Sequence, residues 1–276
     1  MVPYFKDKNF KLYFGDCLKI LPQLRIQPST VFADPPYFLS NDGNTIESGR
    51  IVSVNKGDWD VLKSHSSASE FNFEWLSAIR NVMPKSGTIW ISGTYHNIFS
   101  VGTVLTELNF KILNVVVWKK TNPPPNYSTR CFTHSTEIII WARKEEKSAH
   151  FYNYTLMKEL NGGKQMQDLW VLPAIAPWEK KNGKHKTQKP ISLLCRIILA
   201  SSKEKDIILD PFAGSSTTGI AANLLKRKFV GIDLNREFLE LSIKRKSEIN
   251  SIPHKGILQK VKGLNLEALN CSQISV

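Results

Sequence analysis

Asp34-Pro35-Pro36-Tyr37 brings together the residue types best suited to chemistry in this 276-residue chain. The preceding run, Ser29-Thr30-Val31-Phe32-Ala33, is short, apolar and β-prone, and it predicts a buried strand. Proline cannot extend a sheet ladder, so the strand stops there, and each proline holds the residue before it extended. The strand end then offers one carboxylate, one carbonyl outside the ladder and one aromatic face. Such a set suits a planar ring with an exocyclic amine. The two oxygens each accept an N–H while Tyr37 stacks on the ring. A strand followed by a proline-rich turn fits these four residues equally well, so the rest of the chain must decide.

A second set lies late in the chain. Asp206-Ile207-Ile208-Leu209-Asp210 predicts a buried strand that runs into Pro211-Phe212-Ala213-Gly214-Ser215-Ser216-Thr217-Thr218, with a helix from about Thr218 to Leu225. A turn of small residues beside a helix N-terminus lets a ligand lie against backbone. Phe229 to Asp233 predicts the next strand, and Asp233 falls 233 − 214 = 19 residues after Gly214. That is near the spacing at which an acid at the second strand end holds ribose hydroxyls. The turn is neither GxGxxG nor GxxxxGK[ST], which argues against a dinucleotide or P-loop site. A small-residue turn with Asp233 capping a helix is the competing reading. Before these strands, Thr187-Gln188-Lys189-Pro190 leads into a helix over Ile191–Ser201, with Pro190 at its first position. A Lys there could hold a carboxylate or could simply be solvated. Near the N-terminus, Gly15-Asp16-Cys17 ends a strand over 10–14, and Asp16 either caps the helical turns over 18–24 or faces a ligand at the sheet edge.

Charge points to a partner. The net charge is +13, which favours phosphate contact and counterion release. Lys119 to Thr133 carries Lys119, Lys120, Asn122, Asn126 and Arg130 around a triple proline, a loop suited to phosphate and base contacts. Phe151 to Lys184 has no clear period and mixes Tyr152, Tyr154, Trp170 and Trp178 with lysines, which marks it as an insertion and a second candidate nucleic-acid surface.

The elements that must position these groups read as an α/β chain. Helical patterns over 70–82 and 97–108 alternate with strand patterns over 88–92 and 111–118, and another strand follows over 136–141. The alternation predicts a mostly parallel, doubly wound sheet with helices on both faces. Residues 41–58 are polar and read as a loop, either a lid or a DNA contact. The hydrophobic content of 42% supports a real core, and no apolar run is long enough for a membrane span. Cys17, Cys131, Cys195 and Cys271 lack metal-ligand spacing and read as reduced thiols of a cytoplasmic protein, with no metal expected.

Taken together, Asp-Pro-Pro-Tyr, then Thr-Gln-Lys-Pro, then Asp-Pro-Phe-Ala-Gly-Ser-Ser-Thr and Gly-Ile-Asp resemble the β-class of S-adenosylmethionine-dependent DNA amino-methyltransferases, from about Phe10 to Ile249. The stretches 38–40, 56–60, 118–125 and 132–137 are most similar to the DpnA-like branch, which methylates adenine in GATC and tolerates single-stranded DNA. The resemblance implies a Rossmann-like fold permuted with its catalytic half first. It divides the chain into a catalytic half at 1–141, an inserted target-recognition segment at 142–184, a cofactor half at 185–249 and an extension at 250–276. It implies that Asp34, Pro35, Pro36 and Tyr37 are catalytic. It places the cofactor against Asp16, Cys17, Asp34, Thr187, Gln188, Lys189, Asp210, Phe212, Gly214, Ser215, Ser216, Thr217 and Asp233. The loop departs from the family pattern Phe-x-Gly-Ser-Gly at Ser216, whose extra hydroxymethyl is expected to alter the turn while cofactor binding survives. Implied partners are duplex DNA, single-stranded DNA, a second copy in a homodimer and a restriction endonuclease. Cytosine-N4 methylation, RNA methylation and silent DNA binding are the alternatives.

Overall fold

The computed structural model of this chain describes residues 1–36, 44–47, 50–53, 67–123, 125–126, 130–180, 183 and 188–251. In chain order the elements are β1 (Phe5–Asp7), β2 (Phe10–Phe14), α1 (Cys17–Ile20), β3 (Thr30–Ala33), β4 (Asn44–Glu47), β5 (Arg50–Ser53), α2 (Ala68–Val82), β6 (Thr88–Gly93) and α3 (Ile98–Glu107). Then come β7 (Lys111–Lys120), β8 (Thr136–Arg143), α4 (Tyr154–Leu160), β9 (Leu169–Leu172), α5 (Ile191–Ser201), β10 (Ile207–Asp210), α6 (Thr217–Leu224), β11 (Lys228–Asp233) and α7 (Arg236–Ser251).

Nine strands form one sheet in the order β1-β2-β11-β10-β3-β6-β8-β7-β9. The ladders β2–β11, β11–β10, β10–β3 and β3–β6 are all parallel. Their carboxyl ends (Phe14, Asp233, Asp210, Ala33 and Gly93) therefore share one edge. The doubly wound expectation holds through this half. Beyond β6 the sheet is mixed: β8 inserts between β6 and β7 and runs antiparallel to both. No helix lies between β7 and β8 among the described residues, and the two strands pair directly with each other. The segment 142–184 also differs from a plain insertion. It supplies α4 and the edge strand β9, which pairs parallel with β7. Its Leu156, Met157, Trp170 and Leu172 are buried in the main core. The stretch read as a loop over 41–58 contains a two-stranded antiparallel hairpin, β4–β5, whose β-branched Thr45, Ile46, Ile51 and Val52 favour extended backbone.

Helices cover both faces. α1, α2 and α3 pack on one side, where Trp75, Leu76 and Ile79 of α2 are fully buried at helical spacing. α4, α5 and α6 pack on the other. α2 carries the chain from β3 outward one way, and α6 carries it from β10 outward the other way. The crevice between β3 and β10 is thus the point where strand order reverses, the usual ligand site of such sheets. Among the described residues, no helix is long and apolar enough to cross a membrane.

Two interior features fix this frame. Trp90 of β6 stacks on Trp141 of β8, with centroids 4.6 Å apart and planes 9° apart, which joins the parallel half to the hairpin. α6 meets the sheet through Gly219, where a Cβ would lie 2.4 Å from Phe229 Cδ1 and 2.6 Å from Phe10 Cε2. Gly219→Ala forces both rings to move and is expected to lower stability by about 1–3 kcal/mol despite its better helix propensity. Urea unfolding reads this directly, and a midpoint at or above that of the parent chain would contradict the close packing.

Candidate active site

The site lies along the shared carboxyl edge. β3 is buried at every position and ends at Ala33, which leaves Asp34, Pro35 and Pro36 outside the ladder. The Pro36 carbonyl accepts a hydrogen bond from Asn97 Nδ2 at 3.2 Å. Asn97 is itself held by the buried Asn72 of α2, whose Nδ2 donates to Asn97 Oδ1 at 2.7 Å. Asn72 Oδ1 accepts from Trp75 Nε1 at 3.0 Å. The proline pair is therefore fixed from the helical layer beneath it. Tyr37 and Thr187 lie outside the described residues.

Asp34 is paired. Lys189 Nζ lies 2.6 Å from Asp34 Oδ2 and 3.3 Å from Glu137 Oε2. Glu137 Oε1 lies 2.6 Å from Lys120 Nζ, and Ser92 Oγ donates to Glu137 Oε2 at 3.4 Å. Burial alone would raise the Glu137 carboxyl, but Lys189 and Lys120 hold it below the ordinary carboxylate range. The strand directions explain the cluster. Glu137 opens the antiparallel β8 opposite Trp118, and Lys120 ends β7, so both reach the edge where β3 ends. Glu137 was not picked out as a site residue in the sequence. Its signal there is a single acid ahead of the apolar run Ile138-Ile139-Ile140-Trp141-Ala142.

The other wall follows β10. Asp210 is buried and turned inward, accepting from Phe212 N at 3.0 Å and Thr218 Oγ1 at 2.6 Å. Burial pushes its carboxyl up to about 7, with the negative charges of Asp34 and Asp233 adding to the shift. Asp210 thus shapes the turn from beneath. Gly214 takes φ 51 and donates its N–H to Asp233 Oδ2 at 2.6 Å, while Asn235 N donates to Asp233 Oδ1 at 2.8 Å. Burial raises the Asp233 carboxyl to about 6 against these two bonds, which favour the charged form. Gly15 N donates to the Asp233 carbonyl at 2.9 Å, which draws the β2 end to the same place. Asp16 caps α1, with its Oδ1 accepting from Leu18 N at 2.9 Å. Cys17 is buried there, and burial pushes its thiol up to about 12. Phe212 packs edge-on against Trp75 with centroids 5.3 Å apart.

Sequence reasoning missed three side chains: Arg245 and Ser242 hold the turn, and Glu179 holds the start of α5. Arg245 Nη1 donates to Ser215 O and Ser215 Oγ, both at 2.7 Å, and to Thr217 Oγ1 at 2.9 Å. Ser242 Oγ donates to Gly214 O at 3.1 Å. Glu179 accepts from Ala176 N at 3.0 Å and from Ile191 N at 2.9 Å, which caps α5. Its neighbour Gln188 donates to the Glu179 carbonyl and accepts from Ser215 Oγ. Pro190 is the cap residue of α5, one place earlier than expected. The contacts of Arg245 and Ser242 with the turn join residues about thirty apart and leave no local sequence mark.

A half-buried carboxylate, a glycine turn and small side chains fit an adenosyl ligand. The Asp233 oxygens keep lone pairs for hydroxyl donors, and the turn lets a ligand approach the backbone. Of the expected DNA-contacting residues, Lys119 and Arg130 are exposed. Lys120 is engaged by Glu137. Asn122 Oδ1 accepts from Ala174 N, and Asn126 Nδ2 donates to Cys131 O and Phe132 O, so both amides brace the loop.

Ser216 takes φ 55 and ψ 39 and is fully buried, and its Oγ has no hydrogen-bond partner among the described residues. The hydroxymethyl thus points into protein rather than into the site. The left-handed backbone and the orphan hydroxyl each cost about 1 kcal/mol or more. Ser216→Gly should raise stability by about 1–3 kcal/mol and leave cofactor affinity intact. Thermal unfolding with a calorimetric ligand titration tests both, and a lower melting temperature would count against this account.

The chain matches a family model described as DNA methylase over residues 29–244. It is 54% identical over 263 residues to the type II methyltransferase M2.MboI of Moraxella bovis, covering 94% of this chain and 96% of that protein. It is 53% identical over 245 residues to the type II methyltransferase M2.DpnII of Streptococcus pneumoniae, covering 88% and 91%. Among solved structures, the M1.HpyAVI–SAM complex aligns with a TM-score of 0.65 at 26% identity, covering 86% of this chain and 98% of that one. The PvuII cytosine-N4-specific DNA methyltransferase aligns with a TM-score of 0.69 at 17% identity, covering 93% of each, a likeness of fold.

Proposed function

The chain belongs to the DNA methylase family, and on that premise we propose that it methylates N6 of a flipped-out adenine within GATC. The observation that carries the reading is Asp34, an acid held at a proline-stiffened strand end beside the turn of Gly214 and Asp233. S-adenosylmethionine, when bound, supplies an electrophilic methyl group on a sulfonium.

The protein's part is positioning. The target base must leave the stack to reach the crevice. Asp34 and a backbone carbonyl accept the two N6 hydrogens, which orients the nitrogen lone pair. The Pro35 carbonyl is the second acceptor, and the bond from Asn97 to the Pro36 carbonyl steadies the proline pair beside it. Tyr37 stacks on the ring. Asp34 takes the proton that N6 loses. Asp233 holds the ribose hydroxyls, with Phe212, Gly214, Ser215 and Thr217 forming the adjoining wall over Asp210. Asp16 and Cys17 flank the adenine end, and Gln188 lies near the methionine end. Lys119 and Arg130, with the Asn122–Asn126 loop, meet the DNA backbone. The division into catalytic half 1–141, recognition segment 142–184 and cofactor half 185–249 belongs to the same reading. So do single-stranded DNA as a second substrate, a cytoplasmic homodimer and a restriction endonuclease acting at the same site.

Cytosine-N4 methylation is the second reading, supported by the fold it shares with the PvuII enzyme. It is disfavoured by Asp34, since that group more often has Ser there. Single-base sequencing of DNA treated with the purified protein, with nucleoside mass spectrometry, separates the two. The expected product is N6-methyladenine at GATC, absent with Asp34→Ala, whose cofactor affinity stays near that of the parent. An active Asp34→Ala enzyme would sink the mechanism.

Cofactor binding should depend on pH through Asp233. Its folded pKa, near 6, lies above the ordinary value of 3.8. In the free chain its contribution to stability is therefore full below the ordinary range and is lost as pH rises through about 6. A ligand that donates hydroxyls selects the ionised form, so affinity should fall about tenfold per pH unit below 6. Calorimetric titration between pH 5 and 8 is the measurement; a flat profile would remove Asp233 from the ribose site.

A further inference from the structure

We propose that Glu137 is a positioning residue for methyl transfer, acting on Asp34 through Lys189. The inference rests on the reading of Asp34 as an acceptor for the N6 hydrogens. Glu137 lies on β8, remote in sequence from both the Asp34 motif and the Gly214 turn.

The geometry is a chain of alternating charge. Lys120 Nζ sits 2.6 Å from Glu137 Oε1, Glu137 Oε2 sits 3.3 Å from Lys189 Nζ, and Lys189 Nζ sits 2.6 Å from Asp34 Oδ2. The Lys189 side chain is 5% exposed and that of Glu137 is 11% exposed, so water shares little of this contact. An ammonium is a point charge on a four-carbon stem, with three donors and no preferred plane. Pro190 holds the Lys189 backbone extended ahead of α5, so the long side chain is the part left to be aimed. An acid on one side only would fix the ammonium at a single contact and leave its direction open. Glu137 supplies the second pull. It is anchored by Lys120 and Ser92 at the start of β8, where the ladder with β7 fixes the backbone.

The consequence is a division of labour within one carboxylate. Lys189 holds Oδ2 and so sets the rotation of the Asp34 side chain, which turns the other oxygen toward the base. With the Glu137 charge gone, Lys189 keeps its contact with Asp34 but loses the second contact that fixes its direction, so it swings about Oδ2 and no longer sets the rotation of the carboxylate. Lys189 and Glu137 keep their protonation throughout, and the proton lost by N6 passes to Asp34 and then to solvent. Lys189 thereby acts mainly on the acid rather than on the cofactor, and the Lys120 end of the chain lies at the base of the loop proposed to meet DNA.

The test uses the full chain, a GATC duplex and labelled S-adenosylmethionine under single-turnover conditions. Glu137→Gln should slow methyl transfer by about tenfold or more, as expected when a group aiming a reacting side chain is lost, while affinities for cofactor and duplex stay within about twofold. Glu137→Asp, which keeps the charge, should fall between Gln and the parent. Lys189→Arg should retain more rate than Lys189→Met. A parental rate in Glu137→Gln would overturn the proposal, as would a loss explained wholly by weaker cofactor binding. An Asp variant no better than Gln would also overturn it, whether or not Gln alters folding. Asp34→Ala in the same assay keeps the two readings apart, because an active Asp34→Ala removes the premise itself.

Discussion

The arrangement depends on a buried ammonium placed between two carboxylates. Lys189 bridges Asp34 and Glu137 in a place where charge is expensive to hold, because burial strips each group of water. The cluster is tolerable because it closes: Lys120 completes two acids and two bases within contact distance. Neutrality then imposes a topology. Asp34 must end β3, Glu137 must open β8, Lys120 must end β7 and Lys189 must precede α5, all at one edge. An antiparallel β8 meets the second requirement, which a parallel strand in its place would not.

The same edge carries a second cluster with the opposite character. Asp34, Asp210 and Asp233 end adjacent or nearby strands, and two of them have carboxyls raised toward neutrality by burial. Lysine compensates on the β3 side, and backbone N–H groups and a threonine hydroxyl do so on the β10 side. The crevice is therefore asymmetric, with a salt-bridged wall and a wall of hydrogen-bonded acid. A ligand bearing positive charge and hydroxyl donors suits the second wall, and a base bearing an amine suits the first.

Much of this was legible in the sequence, and the part that was not shares a cause. Asp34-Pro35-Pro36 and Gly214 with Asp233 declare themselves because local rules govern them: proline stops a ladder, glycine permits φ 51, and a strand end exposes its last acid. Asp16 fills the capping role, one of the two readings its position offered. The position of β8 did not, because strand order depends on which partner pairs first rather than on any window of residues. Arg245, Glu179 and Glu137 stayed hidden for the same reason. Arg245 lies in a charged helix and reads there as solvated, yet it reaches back to Ser215 and Thr217. Lys120 read as a DNA contact because a basic residue on a loop looks the same whether it faces phosphate or a buried acid. Ser216 read as an obstacle in the turn, and only the structure places its hydroxyl in the interior.

Strand order also bears on how the chain comes to be folded. β10 and β11 are late in the sequence but lie between β2 and β3 in the sheet. Until residues 207–233 have been made, β2 lacks its parallel neighbour and β3 is open on one side. The centre of the sheet is thus the last part to be completed during synthesis, and its contacts span about two hundred residues, the kind of topology that slows folding. Both acids of the crevice come within reach of each other only at that final step. A growing chain therefore displays Asp34 well before the Gly214 turn exists, and the two walls of the site form together or not at all.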